Sequence, residues 1–164
     1  MITGSIGSSF HGPPRATQDA DIIINTTEQS LRRFIAGVKG EFYADENMAI
    51  DALKTNFMFN IIHLQTGFKI DFIVRKRDAY STTAFERRIR GEFSDTTGWF
   101  SSAEDIILSK LQWHKLSESG RQIEDAVAVA KMQHGKLDIH YMKTWAENLG
   151  VEDLLNKVLG AINT

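Results

Sequence analysis

Three acids in this chain occupy positions where a carboxylate is expensive. Asp19 and Asp21 head an isoleucine run, Asp19-Ala20-Asp21-Ile22-Ile23-Ile24, and Asp71 lies inside Lys69-Ile70-Asp71-Phe72. Alternate side chains of a strand share a face, so Asp19 and Asp21 project together while Ala20 and Ile22 project the other way. Two carboxylates at that spacing repel each other unless a cation lies between them. Magnesium meets the need, because it prefers oxygen ligands and takes one or two carboxylates with waters and substrate phosphates. If the Asp71 strand lies beside the first, three carboxylates converge on one edge of a sheet.

The residues ahead of these acids are suited to phosphate. Gly4 lets backbone come close to a ligand, and a helix begun by Ser5 presents free N–H groups to an anion. Arg15 and Thr17 flank the acids as phosphate or structural donors, and Pro13-Pro14 holds the returning loop extended. Gly4-Ser5-Ile6-Gly7 is neither a P-loop nor a dinucleotide fingerprint.

Between Lys69 and Arg90 stand seven basic residues, Lys69, Arg75, Lys76, Arg77, Arg87, Arg88 and Arg90, against Asp71, Asp78 and Glu86. This is either a local positive surface able to receive RNA phosphates or the solvated ends of two strands. Read without further context, Lys110 is a solvated helix lysine, and Arg121 with Asp125 is an i,i+4 surface pair. The histidines show no metal-ligand spacing, with His134 and His140 straddling a turn and His114 alone. Trp99, Trp113 and Trp145 sit among apolar neighbours and read as packing residues.

The elements that must position these residues follow from pattern. Met1-Ile2-Thr3 reads as a strand entered midway, expected of a chain that either has lost an upstream helix or has its true start earlier. Residues 20–25 form a β-branched strand, and Thr27 opens a helix through Leu31, Phe34, Ile35 and Val38 to Gly40. A short helix follows over 46–53. Strands at 57–64 and 68–74 are joined by Gln65-Thr66-Gly67 as a hairpin. Shorter strands are expected at 87–93 and 98–100. From Ser101 the texture turns helical. A capping box at Ser101–Asp105 opens the first helix, Ser119 the next, and Asp138 a third that stops at Gly150. Glu152 and Asp153 open the last, through Val158. The expected class is α+β, with a small mixed β-sheet in residues 1–100 and a helical region in 101–164 packed on it as one unit.

Composition bounds the rest. The chain has 164 residues, enough for one core. A net charge of −2 excludes a protein that is basic throughout, so nucleic acid would have to meet a local patch. There is no cysteine, which excludes disulfides, thiolate zinc sites and cysteine nucleophiles. No apolar run reaches membrane-spanning length and no signal pattern opens the chain, so no membrane partner and a cytoplasmic location are expected.

Gly4-Ser5, a short helix, then Pro14-Arg15-x-Thr17-x-Asp19-x-Asp21 on a strand and Asp71 on a later one resemble the nucleotidyltransferase superfamily, of DNA polymerase β-like fold. Within it the pattern is similar to the AbiEii-like branch, toxins of bacterial type IV toxin–antitoxin systems and their relatives. Glu104 to Leu111, followed by Arg121 to Asp125, resembles that branch's downstream helix lysine and its acid one helix later. The resemblance spans residues 4–125. It implies that Asp19, Asp21 and Asp71 bind one or two magnesium ions, and that Asp71 helps activate an acceptor hydroxyl. Gly4 and Ser5 would hold an NTP with Arg15 and Thr17 beside it, Lys110 would contact its phosphates, and Asp125 would orient Lys110 or approach the base. The implied reaction moves a nucleotidyl group from an NTP to RNA, protein or another hydroxyl acceptor, with an antitoxin as a further partner. The alternative is a catalytically silent nucleotide-binding or protein-interaction module of the same fold.

Overall fold

A computed structural model describes residues 1–93 and 96–162. In chain order its elements are β1 (Ile2–Thr3), α1 (Gly4–His11), β2 (Asp19–Ile24), α2 (Glu28–Val38), β3 (Phe42–Ala44), α3 (Glu46–Thr55), β4 (Met58–His63) and β5 (Lys69–Val74). They continue with α4 (Ala79–Glu86), β6 (Ile89–Phe93), β7 (Thr96–Phe100), α5 (Ala103–Ser117), α6 (Gly120–Met132), α7 (Ile139–Leu149) and α8 (Glu152–Gly160). The fold is α+β, with one mixed sheet in the first part of the chain and helices in the rest.

The strands run in the order β3-β4-β5-β2-β1-β7-β6. β2 and β5 are parallel neighbours, as are β1 and β7, and every other adjacent pair is antiparallel. Ile22, Ile24, Phe72, Val74, Phe59 and Ile61 pack on one face against Leu31 and Ile35 of α2 and Ala49 and Ile50 of α3. Leu31 and Ile35 stand one helical turn apart on the buried side of α2, and Thr27 caps that helix by accepting the Ser30 N–H. Each such fully buried aliphatic side chain contributes roughly 1.5–3 kcal/mol. The period-two alternation that buries Ile22 and Phe72 turns Asp19, Asp21 and Asp71 to the opposite face.

A second apolar cluster lies among the C-terminal helices, where Ile107, Leu111, Ala126, Met142, Ala146, Leu155 and Val158 are almost fully buried. Ser102 caps α5 by accepting the Asp105 N–H, Asp138 caps α7 at Tyr141, and Gly150 ends α7 in the left-handed region. α1 joins the halves: Gly7 lies against Ile106, and the His11 ring is hydrogen-bonded to the Ser101 carbonyl. No described helix is long and apolar enough to cross a membrane.

The structure corrects two readings of the sequence, the 87–93 strand and the packing of the tryptophans, and adds a strand and the strand order. The strand expected over 87–93 begins at Ile89, and a helix, α4, precedes it. Its Ala-Tyr-Ser-Thr-Thr-Ala-Phe-Glu sequence has no clear apolar stripe; Asp78 caps it, and Tyr80 anchors it against Trp145 at 5.4 Å. β3 was hidden because it is short and its Tyr43 is exposed. β1 is flanked by β2 and β7, so the sheet's edges are β3 and β6. Of the three tryptophans only Trp145 packs into a core; Trp99 and Trp113 are 49% and 52% exposed.

Candidate active site

β2 and β5 lie in the middle of the sheet, so the acids occupy a face at the head of these two strands and not a sheet edge. The parallel register sets Asp21 directly beside Asp71 and Asp19 beside Lys69. Four charged side chains therefore share one face within two residues of each other along two adjacent strands.

Each carboxylate has a different environment. Asp19 is oriented by the Thr17 hydroxyl, which donates to its Oδ1 at 2.7 Å. Asp71 is buried; its Oδ2 accepts from Lys69 Nζ at 2.6 Å, while its Oδ1 has no hydrogen-bond partner. Asp21 is held above the usual carboxylate range, first by burial and then by the like charges of Asp19 and Asp71, with Lys110 and Lys69 opposing. Lys69 is raised as well, which for an ammonium favours the charged form. Its hydrogen bond to Asp71 and the fields of the three acids raise it against a desolvation cost. The site carries more negative charge than its own cations neutralise.

Gly4 supplies the close approach. Its φ is +59°, and a Cβ there would stand 1.8 Å from Asp21 Oδ2. Any other residue would be strained and would displace the carboxylate. α1 starts at Gly4, and Thr3 places no side chain over its first N–H groups. Ser5, in the first turn, accepts a hydrogen bond from Arg15 Nη2 at 3.0 Å.

The basic side of the site comes from elements far apart in sequence. Lys110 Nζ donates to Asp125 Oδ2 at 2.8 Å, and Arg15 Nη2 donates to the same oxygen at 3.3 Å. Asp125 thus joins the Arg15 loop to α5 and α6. It pairs with Lys110 and Arg15, replacing the Arg121–Asp125 surface pair as its local interaction. Lys110 is buried and its charge reaches Asp21, so the reading of a solvated helix lysine is overturned.

All nine residues singled out in the sequence fall in two linked groups: Gly4, Thr17, Asp19, Asp21 and Asp71 around the carboxylates, and Ser5, Arg15, Lys110 and Asp125 around the buried lysine. Lys69 is the participant missed as a site residue. Its i,i+2 relation to Asp71 on a strand was the available signal.

The donor set suits a hard cation, since it offers carboxylate oxygens, including the orphaned Asp71 Oδ1, and no sulfur. As the side chains stand, Thr17 holds one acid and Lys69 another. Among the described residues no three His, Asp or Glu side chains close around a single point. The Lys69 side chain that holds Asp71 Oδ2 is 40% exposed.

The basic run from Lys69 to Arg90 is divided by the fold. Lys69 pairs with Asp71, and Arg87 with Glu104. Arg75 donates to Thr82, Arg88 lies over aromatic rings, and Lys76, Arg77 and Arg90 are exposed. No family model matches this chain, and no curated protein matches it.

Proposed function

We propose that the chain is a magnesium-dependent nucleotidyltransferase that moves a nucleotidyl group from an NTP to a hydroxyl acceptor. The observation that carries this reading is the register of β2 with β5, which sets Asp19, Asp21 and Asp71 on one face with an excess of negative charge and an orphaned buried oxygen. Resident magnesium, held by these three acids, would neutralise triphosphate charge and align the attacking and leaving oxygens.

The chain's own groups supply the remaining steps. The first N–H groups of α1 and the Ser5 hydroxyl face the triphosphate, and Gly4 admits it beside Asp21. Lys110, aimed by Asp125, offsets phosphate charge, and Arg15 braces Ser5 and Asp125. Asp71 Oδ1 accepts the acceptor's hydroxyl proton as that oxygen bonds to the α-phosphorus. The bridging α–β P–O bond breaks and pyrophosphate departs. RNA and protein hydroxyls both meet this requirement, and a type IV toxin-like role with an antitoxin partner is compatible with it.

A second reading is favoured by the Lys69–Asp71 contact: a silent nucleotide-binding or interaction module in which Lys69 replaces the ion. Label transfer separates the two. The protein is incubated with magnesium, each α-labelled NTP in turn and total cellular RNA, beside an Asp19→Ala/Asp21→Ala control. Label on RNA or on the protein, lost in the control, supports the transferase. Magnesium-dependent NTP binding without label in any lane supports the silent module.

A further inference from the structure

The face that bears the acids continues across the sheet to a different chemistry. Ile2 pairs with Ile22 on one side and with Phe100 on the other, so these three share the covered face. Trp99, next to Phe100, therefore shares the acid-bearing face, and so does Arg90, its cross-strand partner. Trp99 is half exposed and Arg90 is exposed as well. With β1 alone between β7 and β2, the register sets Trp99 level with Ile23, roughly 12 Å from Asp21 and about 16 Å from Asp19 and Asp71 by strand spacing.

One guanidinium lies over this ring, and a second approaches the neighbouring Phe85. The Arg88 guanidinium lies 5.0 Å from the Trp99 centroid and 4.6 Å from that of Phe85, and Arg75 approaches the same Phe85 ring at 5.7 Å. Among the described residues Arg75, Lys76, Arg77, Arg88 and Arg90 form no ion pair. Glu92 is the one acid on β6. The positive field extends toward the site: with burial, Arg88 helps bring the Met1 amine down to about 6. In a chain of net charge −2 this is a local concentration of unpaired positive charge around an exposed aromatic.

We propose that Trp99, Arg88 and Arg90 form a stacking platform for single-stranded nucleic acid, the acceptor of the reaction proposed above. An unpaired base offers a flat π face for Trp99 and phosphates for the arginines, whereas a duplex hides its base faces. A protein partner would meet two unpaired guanidinium groups at the ring, an arrangement that favours a polyanion. RNA and DNA strands share this chemistry. The assignment of an acceptor rests on the transferase reading; the binding surface does not.

The test is fluorescence anisotropy of labelled 12-nucleotide RNA and DNA single strands and their duplexes, without NTP or magnesium. Single strands are expected to bind at least tenfold more tightly than duplexes. Trp99→Ala should weaken single-strand binding on the order of tenfold, and Trp99→Phe, which keeps a stacking ring, far less. Arg90→Ala should reduce the slope of log K against log salt by about 0.7, one phosphate's share for a single strand. Asp19→Ala/Asp21→Ala should bind at least as tightly as the parent. Equal RNA and DNA affinity leaves the acceptor to be set at the reacting hydroxyl; preference for RNA assigns it here, and both outcomes support the platform. Duplex binding as tight as single-strand binding would overturn it, as would affinity indifferent to Trp99→Ala. Failure to bind any strand, with self-association weakened by Trp99→Ala, would make the patch a protein contact. None of these results depends on label transfer, so either proposal can fail alone.

Discussion

Two acid clusters in this molecule use the same side chains to opposite ends. At the start of α5, Glu104 and Asp105 are 8% and 3% exposed. Both Asp105 oxygens have hydroxyl donors, from Tyr141 at 2.7 Å and Ser102 at 2.8 Å. Glu104 accepts the Asp138 N–H and pairs with Arg87, whose guanidinium lies 3.9 Å from the Tyr141 ring centroid. At the head of β2 and β5 the acids are set side by side, one oxygen is orphaned, and among the described residues the only direct ammonium partner belongs to a partly exposed lysine. The first arrangement gives every one of these carboxylate oxygens a partner, leaving only the buried Arg87 Nε without a hydrogen bond, and it ties α5 to α7 and to the end of α4. The second leaves one buried carboxylate oxygen without a partner and sets like charges side by side, the arrangement on which the magnesium proposal rests.

The contrast breaks most visibly at Asp105. Removing this buried carboxylate leaves the Tyr141 and Ser102 hydroxyls without their acceptor, while Arg87 keeps Glu104. Asp105→Ala is expected to cost about 3 kcal/mol or more in urea unfolding. Burial raises the Asp105 carboxyl against the lowering by its donors, so Asp105→Asn, which keeps one acceptor oxygen, should cost less. A cost below 1 kcal/mol for the alanine variant would erase the distinction between the clusters.

A cation is the converse probe. Magnesium that binds only the folded chain stabilises it by RT ln(1 + [Mg]/Kd), about 2.7 kcal/mol at a hundredfold excess over Kd. The Tm of the parent should rise with magnesium, that of Asp19→Ala/Asp21→Ala should not, and Asp105→Asn should respond like the parent. Lys69→Met sharpens the test, because it removes the protein's own cation from Asp71. A partly exposed ion pair is worth up to about 1 kcal/mol, so this variant should bind magnesium up to about fivefold more tightly while being slightly less stable without it. Unchanged magnesium affinity in Lys69→Met would mean that Lys69 does not compete for the site.

What the sequence revealed of these clusters depended on range. Asp19, Asp21 and Asp71 were legible because strand alternation and burial of the isoleucine and phenylalanine runs dictate which way an acid points. The Ser102 and Asp138 caps were legible for the same reason, since a cap acts within three residues. The Arg15–Asp125–Lys110 junction was not, because its geometry depends on how α1, α5 and α6 pack, and periodicity carries no information about that. Trp99 was misread for a related reason. Its neighbours in sequence are apolar, but β7 carries its two faces into different surroundings, and the face with Trp99 is open. Lys69 fell between these cases, since its face was predictable and its contact with Asp71 was a matter of rotamer.

The smallest expected effect tests whether like-charge repulsion is stored at the site. Asp21 titrates above its ordinary range in the folded chain because burial, Asp19 and Asp71 all disfavour its ionised form. Between the unfolded and folded pKa values the folded state therefore binds more proton than the unfolded one. The stability that Asp21 contributes falls as pH rises through that interval and is lost above it. Asp21→Asn is neutral at every pH and escapes the loss. Without magnesium it should raise Tm at neutral pH by roughly 2–4 °C, the equivalent of about 1 kcal/mol in a chain of this length. That advantage should shrink as pH falls through the raised pKa, where the parent's carboxyl is itself neutral. Asp105 is raised too, by burial above all, but both its oxygens accept from hydroxyls, and an asparagine NH2 takes the place of one of those acceptors, so the same substitution there should lower Tm at neutral pH. If both asparagine variants shift stability in the same direction, the carboxylates on β2 and β5 are ordinary structural acids and no cation site need be invoked.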